Sequence, residues 1–270
     1  MQLDLPNSVA VITGGGGGFG RALALALAAR SWHIVVADID AEGAAETLAL
    51  VNAGGGSGRA VRCDTSKEED IKQLADGVFE LEGACHLLIN NAGVGTAGAV
   101  GVGSLDHWRR CLDINLRGPV YGCHLFLPRM LAQDRGHILN IASLAAFATA
   151  PKMGAYNVSK SGVVALSETL AGELVGTPIT VSVACPSFFQ TNIGASMKSD
   201  DESSNRAGQA LVERSKTTAV QVAQRVLSGV RRGEFLHLPQ VDSKLLWRAK
   251  RWLPSLSMRA IAFGAKLTAR

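Results

Sequence analysis

Aromatic side chains are scarce in this chain. Phenylalanine, tryptophan and tyrosine together make 5% of 270 residues, and only two are tyrosines. Long apolar runs are missing as well. No stretch reaches the roughly 18 uninterrupted apolar residues of a membrane-spanning helix, so a chain threaded through a bilayer by helices is not expected. The opening MQLDLPNSVAVIT lacks the basic flank and long apolar run of a secretory signal. The five cysteines, Cys63, Cys85, Cys111, Cys123 and Cys185, are scattered with no CxxC pair. That pattern argues against a zinc site or a dithiol redox motif, and no metal is expected. Their odd count and wide spacing fit reduced thiols in a cytoplasmic protein. A formal charge of +4 and a pI of about 8.9 leave no footprint for nucleic acid. No repeat with the period of a solenoid or propeller is present.

What is there is the composition of a folded chain, 47% hydrophobic and 19% charged, with 30 glycines. A chain this long buries about three quarters of the surface its unfolded form exposes, enough for a core without metals or disulfides. Short apolar runs are predicted as strands at Val9–Thr13, Ile34–Ala37, Ala60–Cys63, His86–Asn90, His137–Ser143, Ile179–Ala184 and Phe235–Leu238. Helical segments are predicted between them, over Gly20–Ser31, Ala41–Asn52, Glu68–Glu82, Leu105–Gln133, Tyr156–Val175 and Thr217–Gly229. Gly54–Gly58 reads as a loop, and Pro119 and Pro128 as kinks or boundaries. Apolar strands that alternate with helices are buried on both faces and form a parallel sheet with right-handed crossovers. No composition break divides the chain. Residues 1–270 are therefore read as one α/β domain, a doubly wound parallel sheet of Rossmann type with helices on both faces.

Between the first strand and the first helix lies TGGGGGFG, Thr13 to Gly20. A tight strand-to-helix turn without side chains lets backbone N–H groups and a helix N-terminus approach a pyrophosphate. Gly14, Gly17, Gly18, Phe19 and Gly20 are the candidate cradle. Asp38 and Ile39 follow the second strand, where an acid accepts from ribose hydroxyls and repels a 2′-phosphate, so NAD is favoured over NADP. The competing role for Asp38 or Asp40 is to cap the helix that starts near Ala41. No lysine or arginine lies within the glycine run.

Tyr156 and Lys160 are four apart at a helix start and share a face. A nearby ammonium stabilises a phenolate and so prepares tyrosine as an acid/base. Ser143 ends the fifth strand, Asn115 lies in LDINLRG, and Asn90-Asn91-Ala92-Gly93 ends the fourth strand. With TGGGGGFG matching TGxxxGxG, NNAG in place and YNVSK matching YxxxK, the chain resembles the short-chain dehydrogenase/reductase family over about residues 5–190.

The resemblance implies an oxidoreductase with NAD as cofactor. Tyr156 would be the acid/base, and Lys160 would lower its pKa and hold the nicotinamide ribose. Ser143 would bind the substrate oxygen, and Asn115 would position a water that links Lys160 to solvent. Asp64 and Thr65 would meet the adenine, and Asn91, Ala92 and Gly93 the adenosine side. Pro186 and Thr191, in PSFFQT, match the segment that holds the nicotinamide amide, with Ser187 in place of the usual glycine. Two alternatives stand beside this reading: an NADPH-dependent 3-oxoacyl reductase and a catalytically silent NAD-binding scaffold.

By the same resemblance the substrate touches segments that carry Val94, Ala97, Leu144, Ala145, Phe147, Met153, Phe188, Phe189 and Met197. Ser143, Ala145, Met153, Tyr156 and Phe188 are the chosen contacts. The apolar wall suits a bulky hydrophobic secondary alcohol or ketone as the small-molecule substrate, although apolar residues are also the usual core. Residues 187–215 match a substrate lid. The family pairs subunits through the helices that carry Asn115 and Tyr156, so a homodimer or homotetramer is expected. The last segment, within residues 240–270, is basic and amphipathic: residues 244–270 hold seven cations and no acid. Docking on the domain is the favoured reading for it, and peripheral contact with an anionic membrane the alternative.

Overall fold

The computed structural model describes residues 8–190, 198–199 and 215–268. Seven parallel strands form the main sheet: β1 (Val9–Thr13), β2 (His33–Asp38), β3 (Ser57–Arg62), β4 (Leu87–Asn90), β6 (Gly136–Ile141), β7 (Ile179–Ala184) and β9 (Leu236–His237). Their order is β3-β2-β1-β4-β6-β7-β9. A second, two-stranded parallel sheet pairs β5 (Thr96–Ala97) with β8 (Lys198–Ser199). The helices are α1 (Gly18–Ala28), α2 (Ala41–Ala53), α3 (Glu68–Leu81), α4 (Leu105–Leu112), α5 (Gly118–Ala132), α6 (Ala145–Ala148), α7 (Gly154–Glu173), α8 (Ala219–Arg231), α9 (Val241–Trp252) and α10 (Pro254–Thr268).

The period-two direction of strand side chains divides the core into two layers. Ala10 and Ile12 of β1, with Ile34 and Val36 of β2, pack under α1 and α8 through Leu23, Leu27, Val226 and Val230. Val9 and Val11, with Val35, face the other way toward α3 and α5 through Leu74, Val78 and Phe126. The chain adds β2 and β3 on one side of β1, then crosses to β4 on the other. The crevice at that reversal is where open parallel sheets bind ligands.

β1 and β7 match the predicted strands residue for residue. β3 starts earlier than expected and takes Ser57 and Gly58 from the predicted loop. Its pairing of Ser57 with His33 gives those residues ladder hydrogen bonds that composition does not reveal. Pro119 opens α5, as expected of a boundary, whereas Pro128 lies inside that helix. Between α4 and α5 a π-helical turn runs over Asp113–Arg117.

A buried polar chain ties α7 to the sheet. Asn90 Nδ2 donates to Asn140 Oδ1 at 2.8 Å, and Asn140 Nδ2 donates to Ser167 Oγ at 2.9 Å. Ser167 in turn donates to Val163 O within α7. Each satisfied bond contributes about 1 kcal/mol, whereas a broken one leaves a buried group unsolvated.

Two histidines are buried near the β7 edge. His137 Nδ1 and Nε2 meet Thr180 and Ser182 at 2.7 and 2.8 Å, and His237 faces Glu234 at 3.8 Å. Burial lowers His137 from 6.5 to about 3 and His237 to about 4. Both are therefore neutral in the fold, while the unfolded chain takes up their protons below about pH 6.5. Their stabilising effect is present above that pH and is lost as pH falls toward the folded values. At pH 5 the loss is roughly 2 kcal/mol for each histidine. Urea unfolding at pH 7 and pH 5 should show the drop, and His237→Gln should shrink it. An unchanged pH difference in that variant would reject the assignment.

Candidate active site

The glycine turn is held by its neighbours rather than left slack. Asn91 Nδ2 donates to Thr13 O and Gly14 O, both at 2.9 Å. Thr13 Oγ1 accepts from the backbone N–H groups of Asn91 and Ala92 at 3.0 and 3.2 Å. Gly14 sits at φ 63°, in the left-handed region that favours glycine. A Cβ on Gly20 would overlap Gly14 O and lie 2.7 Å from Asn91 Nδ2. The turn is thus packed to its limit by its own backbone, and it leads into the α1 N-terminus through the extended Gly17.

The two aspartates after β2 divide their tasks. Asp40 is the helix cap, its carboxylate accepting from Glu42 N and Gly43 N. Asp38 turns inward instead. Its Oδ2 accepts from Gly16 N at 2.8 Å, and its Oδ1 accepts from Asp40 N at 3.0 Å. The carboxylate is thereby placed at the glycine turn with lone pairs left over. Ile39 beside it is exposed. Arg59 is bound by Glu82, and Arg62 lies 3.7 Å from Asp70. Arg21 was not singled out from the sequence. Its guanidinium donates to Gly16 O, Thr47 Oγ1 and Glu46 Oε2, so it braces the turn from behind. The signal was its place directly after TGGGGGFG. Asp64 Oδ1 accepts from Ser66 N and Oγ at the end of β3, and Thr65 is buried next to it.

The remaining candidates converge beyond β4 and β6. The π-helical turn carries Asn115 inward to full burial. Asn115 Nδ2 donates to Val94 O at 2.9 Å, and Asn115 Oδ1 accepts from Val94 N at 2.8 Å. Cys111 Sγ and Ser159 Oγ complete its surroundings at 3.3 Å. A Cβ on Gly93 would lie 3.3 Å from both Asn115 Oδ1 and Lys160 Nζ, which shows how closely these three positions approach. Lys160 is buried and donates to Ile141 O at 3.0 Å. Its ammonium lies 5.9 Å from the Tyr156 ring centre.

Ser143 stands two residues past the end of β6, not within the strand. There Ser143 Oγ accepts from Ala145 N at 3.2 Å, which opens α6. Ser143 lies near enough to the Tyr156 hydroxyl to favour its ionised form. Tyr156 packs with Cys111 and Ala155, and Trp108, Ala145 and Met153 lie against that group.

Burial decides the charge states. It pushes Tyr156 up from 10.0 to about 12, against the opposing effect of Ser143. It lowers Lys160 from 10.5 to about 8. The expected lowering of Tyr156 is therefore not produced by the chain alone. Removing water costs the phenolate more than its neighbours return.

The segment after β7 is clipped from the far end of the chain. Ser187 N donates to Gln240 Oε1 at 2.9 Å, and Ser187 Oγ donates to Asp242. Pro186 O accepts from Leu144 N at 2.8 Å, next to Ser143. Phe189 is a core residue, stacked edge-on against Phe19 at 5.2 Å, and not part of a substrate wall. Phe188 is 45% exposed. Thr191, Met197 and most of the expected lid lie outside the described residues. A small, narrow pocket opens beside Ala155, lined by Thr96, Ala97, Ser104, His107 and Trp108 among others.

Residues 8–202 match the short chain dehydrogenase family. Cyclohexanol dehydrogenase of Acinetobacter sp. (strain SE19) is 34% identical over 186 residues, covering 68% of this chain and 74% of that protein. A short-chain dehydrogenase/reductase of Burkholderia phymatum, solved in complex with NAD, superposes with a TM-score of 0.89 at 33% identity. The superposition covers 94% of this chain and 96% of that one. A metagenomic short-chain oxidoreductase in complex with NADP superposes at 0.72, with 27% identity, over 88% of this chain and 100% of that one.

Proposed function

This chain belongs to the short-chain dehydrogenase/reductase family of oxidoreductases acting on CH–OH groups, and on that premise we propose that it interconverts a hydrophobic secondary alcohol and its ketone with NAD. The observation that carries the reading is the meeting of Ser143, Tyr156 and a buried Lys160 at the C-terminal edge of the sheet, beside the packed glycine turn. The residues present fit a nicotinamide dinucleotide. Gly14, Gly17, Gly18, Phe19 and Gly20 offer backbone to a pyrophosphate, and Asp38 with Ile39 meets the adenosine ribose. Asp64, Thr65 and Asn91–Gly93 line the adenosine side. Pro186 would face the carboxamide; Thr191, expected to share that role, lies outside the described residues.

When bound, the oxidised cofactor supplies the hydride acceptor and a positive charge near the phenol. The chain handles the proton. Tyr156 Oη takes it from the alcohol in oxidation and returns it in reduction. Ser143 Oγ already accepts from Ala145 N, so its own proton is free to turn toward the substrate oxygen. Lys160 Nζ, held at Ile141 O, keeps its other donors for the nicotinamide ribose. Asn115 is clamped by both backbone groups of Val94, which fixes its backbone for a water leading from Lys160. Each unit by which the Tyr156 pKa is brought down corresponds to about 1.4 kcal/mol of stabilisation of the phenolate.

Turnover of a panel of secondary alcohols, followed by NADH absorbance, tests the reading. No turnover with any of them would favour a silent scaffold. The apolar surroundings of Tyr156, Ala145 and Met153 support a hydrophobic substrate, as does the cyclohexanol dehydrogenase likeness. NAD preference rests on Asp38 at the turn, and on Arg59 and Arg62 being held by acids. Wild-type kcat/KM should favour NAD over NADP. Asp38→Ala should narrow that ratio by at least about tenfold, and Asp38→Asn, which can still accept from Gly16 N, should also narrow it. A wild type that prefers NADP would overturn the assignment in favour of an NADPH-dependent reductase.

Exposed apolar residues on α5 and α7, Val120, Leu131 and Val158, support pairing of subunits through these helices. Light scattering at micromolar concentration should give a dimer or tetramer mass, and a monomer mass would contradict it. Five free, buried cysteines fit a reducing, cytoplasmic setting. Among the described residues no helix is long and apolar enough to cross a membrane.

A further inference from the structure

α9 and α10 form a helical pair with two unlike faces. The inner stripe of α9 is Ser243, Leu246, Trp247 and Lys250, at helical spacing. Ser243 is fully buried, and Lys250 Nζ donates to Thr149 Oγ1 at 2.8 Å, at the end of α6. Asp242, in the first turn, is directed back at Ser187. This half of the segment docks on the domain, as the sequence reading favoured.

The outer side is different. Val241, Leu245 and Trp252 of α9 are 72%, 61% and 81% exposed. Leu253 at the break before Pro254 is exposed, and so are Leu256, Met258 and Phe263 of α10. Interspersed among them are Lys244, Arg248, Arg251 and Arg259, all exposed, with no acid from residue 244 to residue 270. Removing this segment's seven cations leaves the other residues with 20 basic and 23 acidic side chains, a net charge of −3. Large apolar side chains exposed together in one short segment mark an interaction surface.

We propose that the outer face of α9 and α10 rests on an anionic lipid bilayer. Two features select this occupant. A bilayer surface offers phosphates to the cations and an apolar layer to Trp252, Leu253 and Phe263, and interfacial helices combine these two needs. A second copy meeting this face by two-fold symmetry would set Lys244, Arg248, Arg251 and Arg259 against their own equivalents, with no acid on the face to relieve them. The break before Pro254 lets two short helices follow the surface in place of one long one. Because α9 docks on α6, directly after Ser143, contact would bring the substrate side of the molecule close to the lipid. The proposal goes beyond the assigned reaction and does not depend on it.

The test is co-sedimentation of the full chain with phosphatidylcholine vesicles, with and without phosphatidylglycerol. We expect binding only when phosphatidylglycerol is present, weakening as salt rises to about 0.15 M. Trp252→Glu combined with Phe263→Glu changes only exposed side chains and should lower binding by at least about tenfold. Arg248→Ser combined with Arg259→Ser should remove the dependence on phosphatidylglycerol. Circular dichroism and turnover should be unchanged in both variants. No wild-type binding to phosphatidylglycerol vesicles would overturn the proposal. So would equal binding to both vesicle types, or binding unaffected by the Glu variant. A Glu variant that lowers the mass in light scattering but leaves vesicle binding intact would assign the face to another subunit.

Discussion

Replacing Tyr156 with phenylalanine is expected to lower kcat by at least about a hundredfold while NADH binding persists. The two effects separate because of where the tyrosine sits. Its ring packs against Cys111, Ala155, Ala145 and Met153, and phenylalanine keeps that packing. Only Oη is lost, and with it the interaction with Ser143 and the group proposed to exchange the substrate proton. Ser143 still polarises the oxygen but has no route to take its proton away. Lys160 keeps its bond to Ile141 O, so the ribose side of the site is undisturbed. Steady-state turnover together with NADH fluorescence titration checks both halves. Near-normal turnover in the variant would remove Tyr156 from the chemistry.

Gly20→Ala should cost at least about a hundredfold in NADH affinity, and it should destabilise the fold by roughly 1–3 kcal/mol. A single methyl there runs into Gly14 O and the Asn91 amide that bridges Thr13 and Gly14. None of these is the loose end of a flexible side chain. The turn must therefore shift, and with it the backbone N–H groups proposed to face a pyrophosphate. Gly172→Ala is the matched control: it lies within α7, nothing lies within 4 Å of its Cβ position, and alanine there should stabilise by up to about 1 kcal/mol. NADH titration and urea unfolding of both variants measure the effect. Unchanged affinity for Gly20→Ala would show that the turn does not carry the dinucleotide.

The site was legible in the sequence wherever its signal is local. TGGGGGFG, Asn91–Gly93 and the Tyr156–Lys160 pair each lie within a few residues, on elements whose apolar pattern is plain. Sequence could not reveal what depends on contacts between distant segments. The choice between Asp38 and Asp40 as helix cap turns on Gly16 N, brought over from the first turn. The π-helical turn that buries Asn115 is announced by no local pattern in DINLR. The raised pKa of Tyr156 reflects how much water the folded site excludes. Phe189 had the composition of a substrate wall and became core because Phe19 lies beneath it. The β5–β8 pair joins residues about a hundred positions apart, and neither half has a strand's length or pattern.

The clip between Ser187 and the chain near Gln240 also sets an order of events during synthesis. Ser187 meets Gln240 and Asp242 from 53 and 55 positions away, and Cys185 N donates to His237 O. A ribosome delivers the amino-terminal half first, and domains begin folding as they emerge. The loop after β7 can therefore gain its anchor only once β9 and the first turn of α9 have been made. Truncated chains ending before β9 should leave the loop after β7 unfastened, so turnover is expected only once the last strand has been made.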